Sequence, residues 1–176
     1  GTNPGVQNAG QPAAVAVPAA GDVRFAAAFV DGTAPSAWRA FDGDWQVQDG
    51  TLVQLQPDGY DKGTVYAGVG ANDGVFQDYV YTVRLKLLSG TGAGLYFNLP
   101  TPDGKNGGHM VRFTDDGKGV FWGSFDDAGA FAGQGFAGTA PPGTDWHTLA
   151  VRSGPDTYSI TLDGALLAQD VPLVSK

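Results

Sequence analysis

A chain of 176 residues with 42 % apolar content is long enough to bury the core of one domain, and its formal net charge of −8, with only ten Lys and Arg, makes a surface that repels nucleic acid and anionic lipid. No apolar run approaches the ~20 residues of a membrane span, since the longest candidate, Tyr79 to Leu88, is broken by Arg84 and Lys86, so a soluble chain without a membrane span is expected. Cysteine and glutamate are both absent, which excludes disulfides, thiol nucleophiles and the Glu pair of a typical glucanase.

The first 21 residues are almost all Gly, Pro, Ala, Val, Asn and Gln without a periodic apolar face, the composition of a linker or extended arm. Ala13–Val17 is the stretch most able to add as a strand, and a domain over residues 22–176 is expected to follow. The chain opens on Gly1 without a charged or apolar leader, as a mature or excised piece of a longer protein does.

Past Asp22, segments rich in Val, Tyr, Phe, Thr and Trp alternate with Gly, Pro, Asp and Asn clusters about every ten residues, the pattern of an all-β sandwich. The spacing predicts strands near Val23–Phe29, Asp44–Gln48, Thr51–Gln56, Gly63–Val69, Tyr79–Leu88, Ala93–Leu99, Gly108–Thr114, Gly119–Phe125, Ala130–Ala137, Trp146–Ser153, Thr157–Leu162 and Ala165–Gln169, with no long helix. Eight Asp stand directly before Gly, at Asp31, Asp42, Asp49, Asp58, Asp73, Asp103, Asp116 and Asp163. Asp tolerates the left-handed backbone region and Gly occupies it without steric cost, so these pairs are read as turns. A two-residue loop at Asp163-Gly164 would place Leu162 opposite Ala165 and put Tyr158, Ile160, Leu162 and Leu167 on one buried face. The same loop at Asp49-Gly50 joins Val47 to Leu52, and a turn at Asp115 to Lys118 returns Met110–Thr114 onto Gly119–Phe125.

An ordered series of motifs runs through these strands: Trp38 to Leu52 with Trp45-Gln46-Val47-Gln48-Asp49-Gly50, then Gly92 to Asn98, His109 to Phe113, Trp146 to Val151, and Tyr158 to Gly164. Over roughly residues 25–170 the series resembles the concanavalin A-like, laminin-G-like jelly rolls of bacterial surface proteins, and by pattern it is similar to the keto-disaccharide hydrolase domain and to jelly-roll modules appended to secreted enzymes. The resemblance implies a two-sheet antiparallel β-sandwich, the jelly roll, in an extracellular or cell-surface setting. Jelly rolls of this kind continue past the last hairpin with a further pair of strands, whereas here the text stops at Val171 to Lys176. Either the sequence is cut short there and lacks its last strand, or the closing strand comes from elsewhere, in which case the Ala13–Val17 arm or a neighbouring subunit is expected to cover the open edge.

Catalysis finds little support in the residue set. An Asp-only hydrolase site would have to combine Asp126 or Asp127 with Asp61, yet adjacent Asp on loops read as turn formers and caps. No G-x-S-x-G elbow is present, and His109 and His147, each beside aromatic residues on a strand, read as packed structural histidines and not as zinc ligands. Calcium could draw on Asp42-Gly43-Asp44, Asp115-Asp116 or Asp126-Asp127, but no D-x-D-x-D-G loop occurs, so neither a metal nor a cofactor is assigned.

Alternation puts Leu95, Phe97 and Leu99 on one face and Tyr96 and Asn98 on the other, turns Met110 and Arg112 away from Val111 and Phe113, and pairs Trp122 with Ser124. Tyr96, Asn98, Arg112 and Trp122 are thus expected to share a concave face that binds a ligand, with Trp122 in the core as the competing reading. The expected function is a non-catalytic extracellular module binding a glycan or a partner protein. The alternatives are a structural subunit of a surface layer, filament or complex, and a glycoside or keto-disaccharide hydrolase.

Overall fold

The computed structural model describes residues 23, 25–33, 38–40, 43–56, 65–67, 78–89, 92–101, 104–138 and 144–174. The arm with Ala13–Val17, and also Asp42, Asp58, Asp61, Asp73 and Asp103, lie outside the described residues, as does the covering of the sheet edge expected from that arm.

All regular structure among the described residues is β. The strands are β1 (Trp38–Ala40), β2 (Trp45–Gln48), β3 (Thr51–Gln54), β4 (Val65–Ala67), β5 (Tyr79–Leu85), β6 (Gly94–Phe97), β7 (His109–Phe113), β8 (Gly119–Phe125), β9 (Phe131–Gly138), β10 (His147–Ser153), β11 (Thr157–Leu162) and β12 (Ala165–Pro172). Two four-stranded antiparallel sheets, ordered β12-β11-β10-β5 and β6-β7-β8-β9, form the sandwich, and the pairs β1-β4 and β2-β3 stand as separate two-stranded sheets. No helix among the described residues is long and apolar enough to cross a membrane.

The turns set the registers. Asp49 and Gly50 lie at φ 50° and 73°, Asp163 and Gly164 at 51° and 80°, the doubly left-handed geometry of a two-residue hairpin whose twist matches its strands. Val47 accordingly pairs with Leu52 and Leu162 with Ala165. At the β7–β8 turn, Asp116 Oδ1 accepts hydrogen bonds from the Thr114 hydroxyl at 2.7 Å and the Lys118 amide at 3.0 Å. These bonds, the hydroxyl first, hold the Asp116 carboxyl below its ordinary value.

The core lies between the two sheets. Leu95, Phe97, Val111, Phe113, Val120 and Trp122 from one meet Leu149, Val151, Tyr158, Ile160, Leu162 and Val171 from the other. Each fully buried large side chain of this set contributes about 1.5–3 kcal/mol by its removal from water. Tyr158 joins the layers, its ring edge-on to Phe97 at 5.0 Å and to His109 at 5.2 Å. Past β12 the chain bridges both sheets: the Leu173 amide donates to the Asp156 carbonyl at 2.9 Å and the Val174 amide to His109 Nε2 at 3.1 Å.

Two expectations fail locally. The strand over Val23–Phe29 does not form among its described residues: Ala26–Ala28 have low strand propensity, and Phe29 at φ 55° leaves the extended region. Phe25 and Phe29 instead pack on Trp38, with ring centres 6.0 and 5.4 Å away. The last strand runs on to Pro172, and register shifts bring Ile160 opposite Ala168 and Tyr158 opposite Val171, where simple pairing gives Leu167 and Gln169.

Candidate functional site

The two sheets present different faces to solvent. On the β5–β10–β11 sheet the outward positions, in register, are Val80, Thr82 and Arg84, then Thr148, Ala150 and Arg152, then Ser159 and Thr161. These strand positions carry no aromatic ring, and the ring against them is Trp146 at the entry to β10, 4.8 Å under the Arg84 guanidinium. On the β6–β9 sheet the outward positions include Tyr96, Met110, Arg112, Phe121, Phe125, Phe131 and Phe136, of which Phe131 and Phe136 are exposed while Met110 and Phe125 are covered by their neighbours. Soluble sheets rarely turn this many rings outward, so the second face is the candidate site.

Of the four residues assigned from sequence, this face holds two. Arg112 pairs with Phe121 across β7 and β8, and its guanidinium lies 5.0 Å from the centre of that ring while donating to Asp115 Oδ1 at 2.7 Å. Tyr96 pairs with Met110 and meets the Phe125 ring edge-on at 6.0 Å. Trp122 pairs with Val111 and is 5 % exposed within the inter-sheet core, so it does not share the outer face. Asn98 also turns inward: its Oδ1 accepts from the Tyr79 hydroxyl at 2.5 Å and its amide donates to Ser153 Oγ at 3.3 Å. Burial in this network raises the Tyr79 pKa to about 12.

At the β7–β8 turn the outer face opens into a groove of about 650 Å³ lined by Arg112, Thr114, Asp115, Asp116, Lys118, Gly119, Phe121 and Phe136. Phe121 and Phe136 are register partners and Phe136 is 63 % exposed. Gly119 leaves the space that the Phe136 ring occupies, since a Cβ there would overlap that ring and displace it. An apolar floor of ring edges and faces is thereby framed by two carboxylates, a guanidinium, an ammonium and a hydroxyl, the mix of apolar wall and few convergent polar groups that binds small polar ligands.

The remaining titratable groups hold the fold. His147, 2 % exposed, places Nδ1 2.6 Å from Asp163 Oδ2 and packs on Phe113 at 5.3 Å, while Asp163 Oδ1 accepts from the Thr148 amide. The imidazole of this pair is enclosed, while the Asp163 carboxylate at the β11–β12 turn stays 47 % exposed. His109 is fully buried, and burial holds its imidazole below the ordinary value. Asp126 Oδ1 accepts from the Ala128 and Ala130 amides, as a turn cap does. Among the described residues no three His or Asp side chains gather closely enough to hold a metal ion.

The groove residues Phe121, Phe136 and Lys118 were not singled out from sequence. The missed signal was the register of the Asp115–Lys118 turn, which carries Phe121, not Trp122, to the side of Arg112.

Three comparisons bear on this arrangement. Among solved structures, the carbohydrate binding module CBM66 from Bacillus subtilis shares the fold, with a TM-score of 0.58 at 17 % identity over 79 % of this chain and 81 % of that one. No curated protein matches the chain. A family model described as a 3-keto-alpha-glucoside-1,2-lyase-like domain matches residues 25–174, nearly all of the sandwich and in keeping with the resemblance to keto-disaccharide hydrolases. The chain belongs to the 3-keto-alpha-glucoside-1,2-lyase-like domain family.

Proposed function

We propose that this domain binds a glycan at the groove beside the β7–β8 turn, as a non-catalytic module working outside the cell or at its surface. The observation that carries the reading is the pair Phe121 and Phe136, set on a glycine floor with Arg112 above one ring and Asp115, Asp116 and Lys118 around them. The C–H faces of a sugar ring stack on aromatic rings, and its hydroxyls take hydrogen bonds from a guanidinium and give them to carboxylates. The CBM66 fold likeness and the α-glucoside in the family description support a carbohydrate ligand, and the net charge of −8 favours a neutral one over a polyanion. Resemblance to modules appended to secreted enzymes supports the location.

The test is binding to an array of neutral oligosaccharides rich in α-glucosides, followed by calorimetry on the hits. Phe136→Ala should weaken binding by about 10- to 100-fold, the worth of one buried ring, while the melting temperature stays close to that of the parent. Undiminished binding by that variant would remove the groove from consideration.

Family membership favours one further reading, a lyase acting on a 3-keto-α-glucoside. In such an elimination a base takes the C2 proton that the neighbouring ketone acidifies, the C1–O bond breaks, and the departing alkoxide takes up a proton. The groove is poorly equipped for this, because Asp116 is committed to the turn and held below its ordinary pKa, and Asp115 is paired with Arg112. Release of free aglycone from a 3-keto-α-glucoside, followed by NMR and lost in Asp115→Asn, would establish the lyase in place of the binding module.

A further inference from the structure

The groove is one end of a longer aromatic surface. Phe121 meets Phe131 edge-on at 5.8 Å, Phe131 tilts against Phe125 at 5.3 Å, and Phe125 meets Tyr96 at 6.0 Å. A cation sits over the rings at each end: Arg112 lies 5.0 Å from the Phe121 centre, and the Lys105 ammonium lies 5.0 Å from the Phe125 centre. The two rings of this face most open to solvent, Phe136 at 63 % and Phe131 at 40 %, flank this stripe on β9.

Their spacing follows from the pairing. Phe136 stands opposite Phe121 and Phe131 opposite Phe125, so their backbones are separated by four residues of β8, about 13 Å along the strand, while the Phe131 ring leans back to within 5.8 Å of Phe121. Gly123 lies between them on β8, and a Cβ there would come within 2.6 Å of Phe131 Cζ, so its missing side chain lets Phe131 settle onto the sheet instead of standing off it.

The geometry points to a second sugar subsite at Phe131, Tyr96 and Lys105, so that the site takes a neutral oligosaccharide laid along β8 and β9 from the groove toward Lys105. The inference rests on the glycan-binding reading and extends it from a single ring to a chain. Continuity of the rings with the groove argues for one extended ligand. The repetition of the same cation-over-ring arrangement at both ends argues for like chemistry at each. A cation held over a ring donates to hydroxyl oxygens at the rim of a stacked sugar, and the net charge of −8 favours a neutral ligand over a polyanion.

The experiment is titration calorimetry of the whole chain with glucose, maltose, maltotriose and maltotetraose. Affinity is expected to rise at least about tenfold from maltose to maltotetraose, and Phe131→Ala and Lys105→Gln should each abolish that rise while leaving maltose binding intact; thermal melts confirm that both variants fold. Equal affinity for maltose and maltotetraose overturns the second subsite and leaves the groove standing. Phe136→Ala should weaken every member of the series. Failure of all four sugars to bind overturns the groove and the subsite together. So does concentration-dependent dimerisation that Phe131→Ala abolishes in a protein that binds no sugar, because the face would then belong to a second copy of the chain.

Discussion

Trp122 and Phe136 separate the core from the site, and truncating each gives opposite outcomes. Trp122 is 5 % exposed, faces Val111 and lies so close over Gly135 that a Cβ there would come within 2.6 Å of its Nε1. Trp122→Ala takes about 150 Å² of apolar surface out of the core, worth about 4 kcal/mol at 25 cal/mol per Å², in line with the 3–5 kcal/mol typical of such truncations. A domain of this size has about 5–15 kcal/mol in total and loses about 2–4 °C of melting temperature per kcal/mol, so the transition should fall by about 8–16 °C. Phe136, at 63 % exposure, has only about a third of its surface to lose, and Phe136→Ala should cost within about 1 kcal/mol. Thermal and urea denaturation followed by far-UV circular dichroism read both, with sugar affinity measured on the same samples. A Trp122→Ala melting point within 2–3 °C of the parent, or a larger loss in Phe136→Ala than in Trp122→Ala, would refute the assignment of faces.

Because burial keeps His109 neutral below its ordinary pKa of 6.5, the unfolded chain takes up a proton first as pH falls, so this residue makes stability decline as pH drops below that value. Urea midpoints from pH 7.5 to 5 should show the decline, and His109→Gln should flatten it; identical slopes would contradict the account. Asp163→Ala deprives the buried His147 Nδ1 of its carboxylate and the Thr148 amide of its acceptor, and should cost about 2–3 kcal/mol in the same assay. Gly123→Ala drives a methyl group into the Phe131 ring and the Ala132 carbonyl, and should cost about 1–3 kcal/mol and reduce the gain in affinity with sugar chain length. Calcium and EDTA should each leave the melting temperature unchanged, because Asp115, Asp116 and Asp126 are already engaged by Arg112 or by turn hydrogen bonds; a rise with calcium would reveal a site.

Most strands and their turns were legible because the signals are local. Asp-Gly marks a turn at each described pair, left-handed at both residues at Asp49-Gly50 and Asp163-Gly164 and at the glycine alone at Asp31-Gly32 and Asp116-Gly117, and Gly119–Phe125 and Thr157–Leu162 form as strands over those same residues. Alternation also placed Tyr96 and Arg112 outward and Leu95, Phe97, Val111 and Phe113 inward, since β6 and β7 run without interruption. Alternation breaks where the backbone leaves the extended region. Asn98 follows the last residue of β6 at φ 49°, and that rotation carries its side chain under the sheet to Tyr79 and Ser153, although its parity matches that of Tyr96.

The same reasoning explains why the aromatic platform was missed. Phe131 and Phe136 differ by five positions, so strict alternation assigns them to opposite faces and no outward stripe is read from β9. The register shift beside Trp122 and Gly123 inserts one residue on β9: Trp122 pairs with Gly135 and Gly123 with Gly133, leaving Gln134 between them. That extra residue restores Phe131 to the face of Phe136. It also frees Gln134 to accept from the Tyr158 hydroxyl at 2.7 Å and donate to the Pro172 carbonyl at 2.8 Å, so the core gains a polar clasp at the position where the outer face gains a ring. A bulge of this kind lies among Gly133, Gly135 and Gly123, where close backbone approach is tolerated, and it needs its partner strand to be defined. Sequence alone shows the glycines, but only the pairing of β8 with β9 decides which rings they turn toward the ligand.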